Sequence, residues 1–318
     1  MKRAVFVALL LAAPTAQGQA PPPAGWERTT IQQAPVFQTA ALACGRDRAY
    51  VRDYAGDVRA FDGRSWAPIA RAPSRGRHLW VSPAGRIVVD GPSSLHAWDG
   101  ARWSDVAIDP WFAVPQRGGG ALFAIDGLGE RPWVLGRGAI GLDVGSDEGV
   151  LLRAHDVASS AWYALSDLEV LAPDRVYVAS EAGLLRWDGR AWSVEPTGIE
   201  GEVGGVHAFA ADDVWAFSDA GVSHFDGRGW TLRTEGLELP EPRPLRYYPS
   251  ETRVHVGGRP GAVYLSTPDR VYRLDGARWA VELDASHHDS PHSRSYGEIC
   301  ATDRFVIVSA GGSAFIGR

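Results

Sequence analysis

A chain of 318 residues that is 45% hydrophobic can bury a large core, and 37 Gly with 21 Pro punctuate it for many turns. The formal net charge of -6, with no basic stripe, excludes the electrostatic footprint of a nucleic-acid binder. After the N-terminal twenty residues no apolar run approaches the length that crosses a bilayer, so no transmembrane segment is expected.

The N-terminus reads as an export signal. Lys2-Arg3 supply the charged start, residues 4–13 the apolar run, and Ala16-Gln17-Gly18 the small residues of a cleavage site. Residues 1–18 are therefore expected to be a signal peptide and 19–25, with Pro21-Pro22-Pro23, an extended leader. A single domain is expected over 26–318, in the periplasm or outside the cell. No cysteine follows the apolar run, so no lipid-modified N-terminus is expected.

From Trp26 onward one pattern recurs. Residues 214–233, VWAFSDAGVSHFDGRGWTLR, read as strand, tight turn, strand, D-G turn and a third strand opening on Trp230. Related turns stand at Asp62-Gly63 before Trp66, Asp99-Gly100 before Trp103, Asp188-Gly189 before Trp192, Asp226-Gly227 before Trp230, and Asp275-Gly276 before Trp279. In each, Asp accepts backbone amides, Gly takes the positive-φ position, and Trp starts a strand and packs between sheets. These residues are expected to do structural work, because five copies at one offset mark a repeat.

Seven Trp-led strands are counted, at Trp26, Trp66, Trp103, Trp162, Trp192, Trp230 and Trp279. The expected fold is all-β: a seven-bladed β-propeller of four-stranded antiparallel blades, the first strand of each nearest the axis. Unit three is the least regular. Its strands are read as 121–125, 132–135, 150–154 and 162–165. The ends of the domain are complementary. Residues 26–31 look like an outer strand without its hairpin, and 305–318 like a hairpin without its outer strand. Joined, they make one blade and close the ring, which removes exposed edges.

The register places Cys44 and Cys300 on innermost strands of the two blades that meet at the closure. A disulfide between them is expected in an oxidising compartment. The long connections are 109–120, 136–149, 235–252 and 284–295, and all are read as emerging on one face. That face is the expected binding surface.

With Val214-Trp215-Ala216-Phe217 and Val176-Tyr177-Val178-Ala179 preceding their W/F-D-G-x-x-W hairpins, the repeat resembles bacterial secreted β-propellers. It is more distantly similar to Asp-box and kelch propellers. It lacks the Ser/Thr before the Asp of an Asp box and the repeated double Gly of kelch. The resemblance implies the fold, and no particular ligand.

Candidate chemistry lies in the loops. His287, His288 and His292 could hold a metal ion, since imidazoles suit zinc and copper, but a solvated polar loop is the plainer expectation. No other cofactor is expected. Trp111, Phe112, Arg243, Arg246, Tyr247 and Tyr248 suit a peptide or sugar surface, or a cap over the core. Asp143, Asp147, Glu148, Asp284 and Asp289 could pair as acid and base, yet no catalytic motif is present and no catalytic residue is assigned. The expected function is non-catalytic binding of a protein or glycan by a monomer. The alternatives are a secreted glycan lyase or hydrolase, and a structural part of a cell-envelope assembly. A polar axial pocket with paired carboxylates would favour the enzyme, and a shallow aromatic face would favour binding.

Overall fold

A computed structural model describes residues 21–31, 39–91, 94–108, 122–136, 139–142, 150–153, 165–242, 253–287 and 296–318. Its local unit is the D-G hairpin. Asp62, Asp99, Asp188 and Asp226 each accept two backbone amides from the residues two and three places on, at 2.8–3.1 Å. Gly189 and Gly227 have φ of +90° and +86°. A Cβ there would also come within 2.9 Å and 2.8 Å of Asp174 and Asp212 in the neighbouring turn of the same sheet. The aromatic before each Asp faces the Trp after it. Phe61–Trp66, Trp98–Trp103, Trp187–Trp192 and Phe225–Trp230 are register partners with ring centroids 5.1–5.5 Å apart.

The fifth copy folds differently. Asp275 pairs with Arg278 inside the ladder, leaving a two-residue turn, and Leu274 stands where the others carry an aromatic. Trp279 is buried instead against Trp215, 5.8 Å away.

These hairpins build four-stranded antiparallel sheets. The first comprises β2 (Thr39–Cys44), β3 (Ala49–Asp53), β4 (Asp57–Phe61) and β5 (Trp66–Arg71). The second comprises β6 (Leu79–Val81), β7 (Ile87–Asp90), β8 (Leu95–Trp98) and β9 (Trp103–Val106). An irregular sheet follows: β10 (Leu122–Leu128), β11 (Arg131–Gly136), β12 (Ala139–Leu142) and β13 (Val150–Arg153). The fourth is β14 (Leu165–Ala172), β15 (Arg175–Ser180), β16 (Gly183–Trp187) and β17 (Trp192–Val194). The fifth is β18 (Gly205–Ala210), β19 (Asp213–Ser218), β20 (Gly221–Phe225) and β21 (Trp230–Leu232). The sixth is β22 (His255–Arg259), β23 (Ala262–Ser266), β24 (Arg270–Asp275) and β25 (Arg278–Asp284). The closing sheet joins β26 (Ile299–Ala301), β27 (Val306–Ala310) and β28 (Ser313–Gly317) to β1 (Trp26–Thr30).

The innermost strands touch in ring order β2, β6, β10, β14, β18, β22, β26 and back to β2. The core is divided among the gaps between sheets. Leu135, Leu168, Val176 and Val178 fill the gap from the irregular to the fourth sheet, and Trp215, Val256, Leu265 and Trp279 that from the fifth to the sixth. Both faces of each sheet are therefore buried, which explains strands such as Arg175–Ser180, where residues 176–179 read as an unbroken VYVA run.

The expectation of a seven-bladed propeller is corrected: six blades follow the Trp-led repeat. The irregular sheet has no Trp-led outer strand. Its fourth strand is Val150–Arg153, paired with Ala139–Leu142, and Trp162, read as opening that strand, lies outside the described residues. AIGL carries no Trp-led hairpin, so the repeat pattern does not mark it as a strand. One consequence is topological. Residues 143–149 join the third and fourth strands of this sheet rather than the second and third, and Leu142 and Val150 stand at the trimmed end. The single long connection read over 136–149 does not exist.

Closure is made by backbone. Trp26–Thr30 pairs with Ser313–Gly317, and Ile31 N donates to Gly312 O at 3.0 Å. Trp26 also reaches the sixth sheet, edge-on to Tyr264 and with its Nε1 donating to Glu282 at 3.0 Å. Cys44 and Cys300 form a disulfide between β2 and β26, with Cα atoms 5.6 Å apart.

Candidate functional site

A cavity of about 470 Å³ runs along the ring axis, walled by the innermost strands. Its chemistry follows from an edge problem. Each innermost strand has one side facing its own sheet and the other facing the axis, so its outward N–H groups lack ladder partners. Carboxylates supply them. Asp126 on β10 accepts Val170 N of β14 at 2.6 Å, and Asp167 on β14 accepts Val206 N of β18 at 3.0 Å. Glu298, just before β26, accepts Leu42 N of β2. Each acid reaches the next sheet in the same rotational sense. The fifth sheet interrupts the pattern. Gly205 occupies the register position of Asp167, and the ring of Phe217 fills the space where a side chain would begin.

Enclosure changes how these groups titrate. Desolvation pushes Asp167 up to about 7, partly offset by its bonds to Val206 N and Leu168 N. Desolvation likewise pushes Glu298 up to about 7, against the bond from Leu42. Asp126 is raised by desolvation and then by the charge of Glu169. His255 on β22 is lowered to about 4 by desolvation. His207 on β18 is raised: desolvation opposes its charge, but the bond to Glu169, 3.3 Å away, outweighs that.

A second cluster fixes the rim. Arg52 is fully buried and donates to Asp90 Oδ1 at 2.6 Å and to the carbonyls of His78, Ser74 and Asp90. Asp90 also takes His78 N at 2.9 Å and sits 3.0 Å from His78 Nδ1. Burial alone would raise the Asp90 carboxyl, yet His78 and Arg52 hold it at about 2. The cluster pins the connection between β5 and β6, and so sets His78 and Arg77 at the cavity wall. Arg77 lies 5.8 Å from the ring centroid of Tyr54, which is 47% exposed.

The sequence candidates fall elsewhere. Trp111, Phe112, Arg243, Arg246, Tyr247 and Tyr248 lie outside the described residues, as do His288, His292, Asp143, Asp147, Glu148 and Asp289. His287 is buried in the turn Ala285–His287, with Nδ1 3.2 Å from Asp284 Oδ1. Among the described residues no group of three or more His, Cys, Asp or Glu could hold a metal ion. The axial groups Asp126, Asp167, Glu169, His207, His255 and Glu298 were missed. Their signal was present: charged residues inside an otherwise mostly apolar innermost strand, as Asp167 and Glu169 in LSDLEVLA.

Solved structures with the same arrangement decide the architecture. Across 93% of this chain and 97% of the other, YCF48 bound to D1 peptide superposes with a TM-score of 0.62 at 16% identity. The chain is a β-propeller. The WD40 propeller domain of Doa1 matches with a TM-score of 0.64 at 12% identity, over 92% of this chain and 97% of that one. The Myceliophteria thermophila Cps50 (Swd1) propeller domain gives 0.62 at 12% identity, over 91% and 99%. No family model and no curated protein matches the sequence. At such identities the likeness concerns the propeller fold alone. Among the described residues no helix is long and apolar enough to cross a membrane.

Proposed function

We propose that this propeller is a non-catalytic, extracytoplasmic binding module whose partner is an extended protein segment entering the axial cavity. The observation that carries the reading is the cavity itself. Its volume of about 470 Å³ suits a short insert rather than a folded element, and its rim presents exposed Tyr54 beside Arg77. That rim lies at the end where blade-to-blade connections emerge. The similar propeller YCF48 is described as bound to a peptide. The apolar N-terminal stretch after Lys2-Arg3 and the Cys44–Cys300 disulfide support an oxidising location. The blade motif supports membership of the secreted bacterial propellers with W-D-G-x-x-W repeats.

Selection of a random peptide display library against the immobilised chain tests the reading. Enriched sequences whose capture is lost when Tyr54 and Arg77 are both replaced by Ala are expected. An unenriched library overturns it.

A second reading, a glycan hydrolase or lyase, is favoured by one observation: Asp167 and Glu298 titrate near 7, where acid–base groups work. Against it, each spends an oxygen on the neighbouring sheet's backbone. Turnover of a polysaccharide panel that vanishes in Asp167→Asn or Glu298→Gln would support this second reading.

A further inference from the structure

We infer that the axial cavity receives an extended chain ending in a guanidinium or ammonium group, and that in the partner this is an arginine or lysine side chain. The inference rests on the peptide-binding reading above. It is drawn from the cavity's shape together with its acceptors. Asp126, Asp167, Glu169 and Glu298 come from three sheets and line one enclosed space. Among the described residues, Glu298 uses only Oε2 in its bond to Leu42, leaving the other oxygen for a donor. The imidazole of His255 lies on the same wall, and desolvation keeps it neutral at ordinary pH. Its nitrogens can accept from a cation without repelling it.

The opposing charges on the wall are accounted for. His207 is held by Glu169, His78 by Asp90, and Arg77 lies over Tyr54 at 5.8 Å. Above pH 7, where Asp167 and Glu298 are both ionised, the balance left inside is anionic. A compact metal ion does not fit the arrangement, since no group of three ligating side chains converges among the described residues. A slender organic cation does. Its alkyl stem would lie along Leu42, Ala43 and Phe123, and its head would donate charge-assisted hydrogen bonds to separated carboxylates.

The test uses the full chain and three probes in calorimetric titrations at pH 8: Nα-acetylarginine amide, its neutral citrulline isostere, and agmatine. Arginine amide is expected to bind at least about 10-fold more tightly than the citrulline compound, as charged hydrogen bonds require. The double variant Asp167→Asn/Glu298→Gln keeps amide oxygens for the seam bonds but removes both charges. It is expected to lose about 10-fold for arginine amide and nothing for citrulline. Equal affinity for arginine and citrulline, or an unchanged double variant, overturns the inference. Should that variant fail to fold, wild-type affinity for arginine amide is followed from pH 6 to pH 8. A rise is expected as the carboxyls ionise, and a flat or falling profile overturns the idea.

The arms separate the claims. Display peptides captured without any requirement for Arg or Lys sink the cation inference and leave the peptide reading standing. An empty display selection, with arginine amide and agmatine both bound through Asp167 and Glu298, sinks the peptide reading and makes a free amine the source of the cation.

Discussion

Residue by residue, the D-G turns divide the labour between a side chain that satisfies amides and a residue with no side chain at all. Gly227 combines φ of +86° with a Cβ position 2.8 Å from Asp212, whereas Gly229 in the same turn has open space around it. Gly227→Ala is therefore expected to destabilise by about 1–2 kcal/mol, and Gly229→Ala to leave the thermal midpoint nearly unchanged. Chemical denaturation of the two variants checks the contrast, and equal midpoints would refute it. The turn residues were legible in the sequence because their work is local. The axial carboxyls were not, because their partners sit on other sheets. Asp126 and Val170 are 44 residues apart, and Glu298 and Leu42 are 256 apart. No spacing rule links such pairs before the ring is drawn.

Strands and sheets were readable wherever the Trp-led hairpin marks them, and misread where it is missing. The irregular sheet pairs Ala139–Leu142 with Val150–Arg153, neither of which carries a Trp, so a pattern keyed to Trp162 does not mark it. The closing strand was legible for the opposite reason: Trp26 begins an outer strand with no hairpin before it, and residues 305–318 end as a hairpin without its outer strand. β1 covers the edge of β28 and carries Trp26 onto Tyr264. A chain beginning after Ile31 is expected to expose that edge and to self-associate. Size-exclusion chromatography at several concentrations tests this, and a concentration-independent monomer would contradict it.

For the molecule as a whole, the axis and the closure govern stability. Asp167 and Glu298 carry folded pKa values of about 7, above the unfolded carboxylate range, so the folded state holds protons the unfolded chain releases. Their contribution is greatest at the acid side of that window and is lost as pH rises through 7. His207, also raised, contributes in the same direction, while His255, lowered to about 4, opposes them as pH falls below its unfolded value. With two acids against one imidazole, the thermal midpoint is expected to fall from pH 5 to pH 8. The slope should flatten in Asp167→Asn/Glu298→Gln, and an unaltered slope in that variant would show that other groups govern it. The disulfide spans 256 residues, and its reduction removes a constraint worth about 5 kcal/mol on the unfolded chain. Denaturant midpoints with and without a reductant measure that loss. No change would mean that backbone pairing alone holds the closure.

The meeting of the two ends has a practical corollary. Arg318 N donates to Gly25 O at 3.1 Å, so the last residue and the one just before the closing strand β1 are neighbours. A few linking residues would splice them, and the chain could then be cut at any surface-exposed Asp-Gly corner without breaking a strand. Such circular permutants move the start of synthesis around the wheel while leaving every interface intact, and thus separate the order in which sheets are made from the order in which they dock.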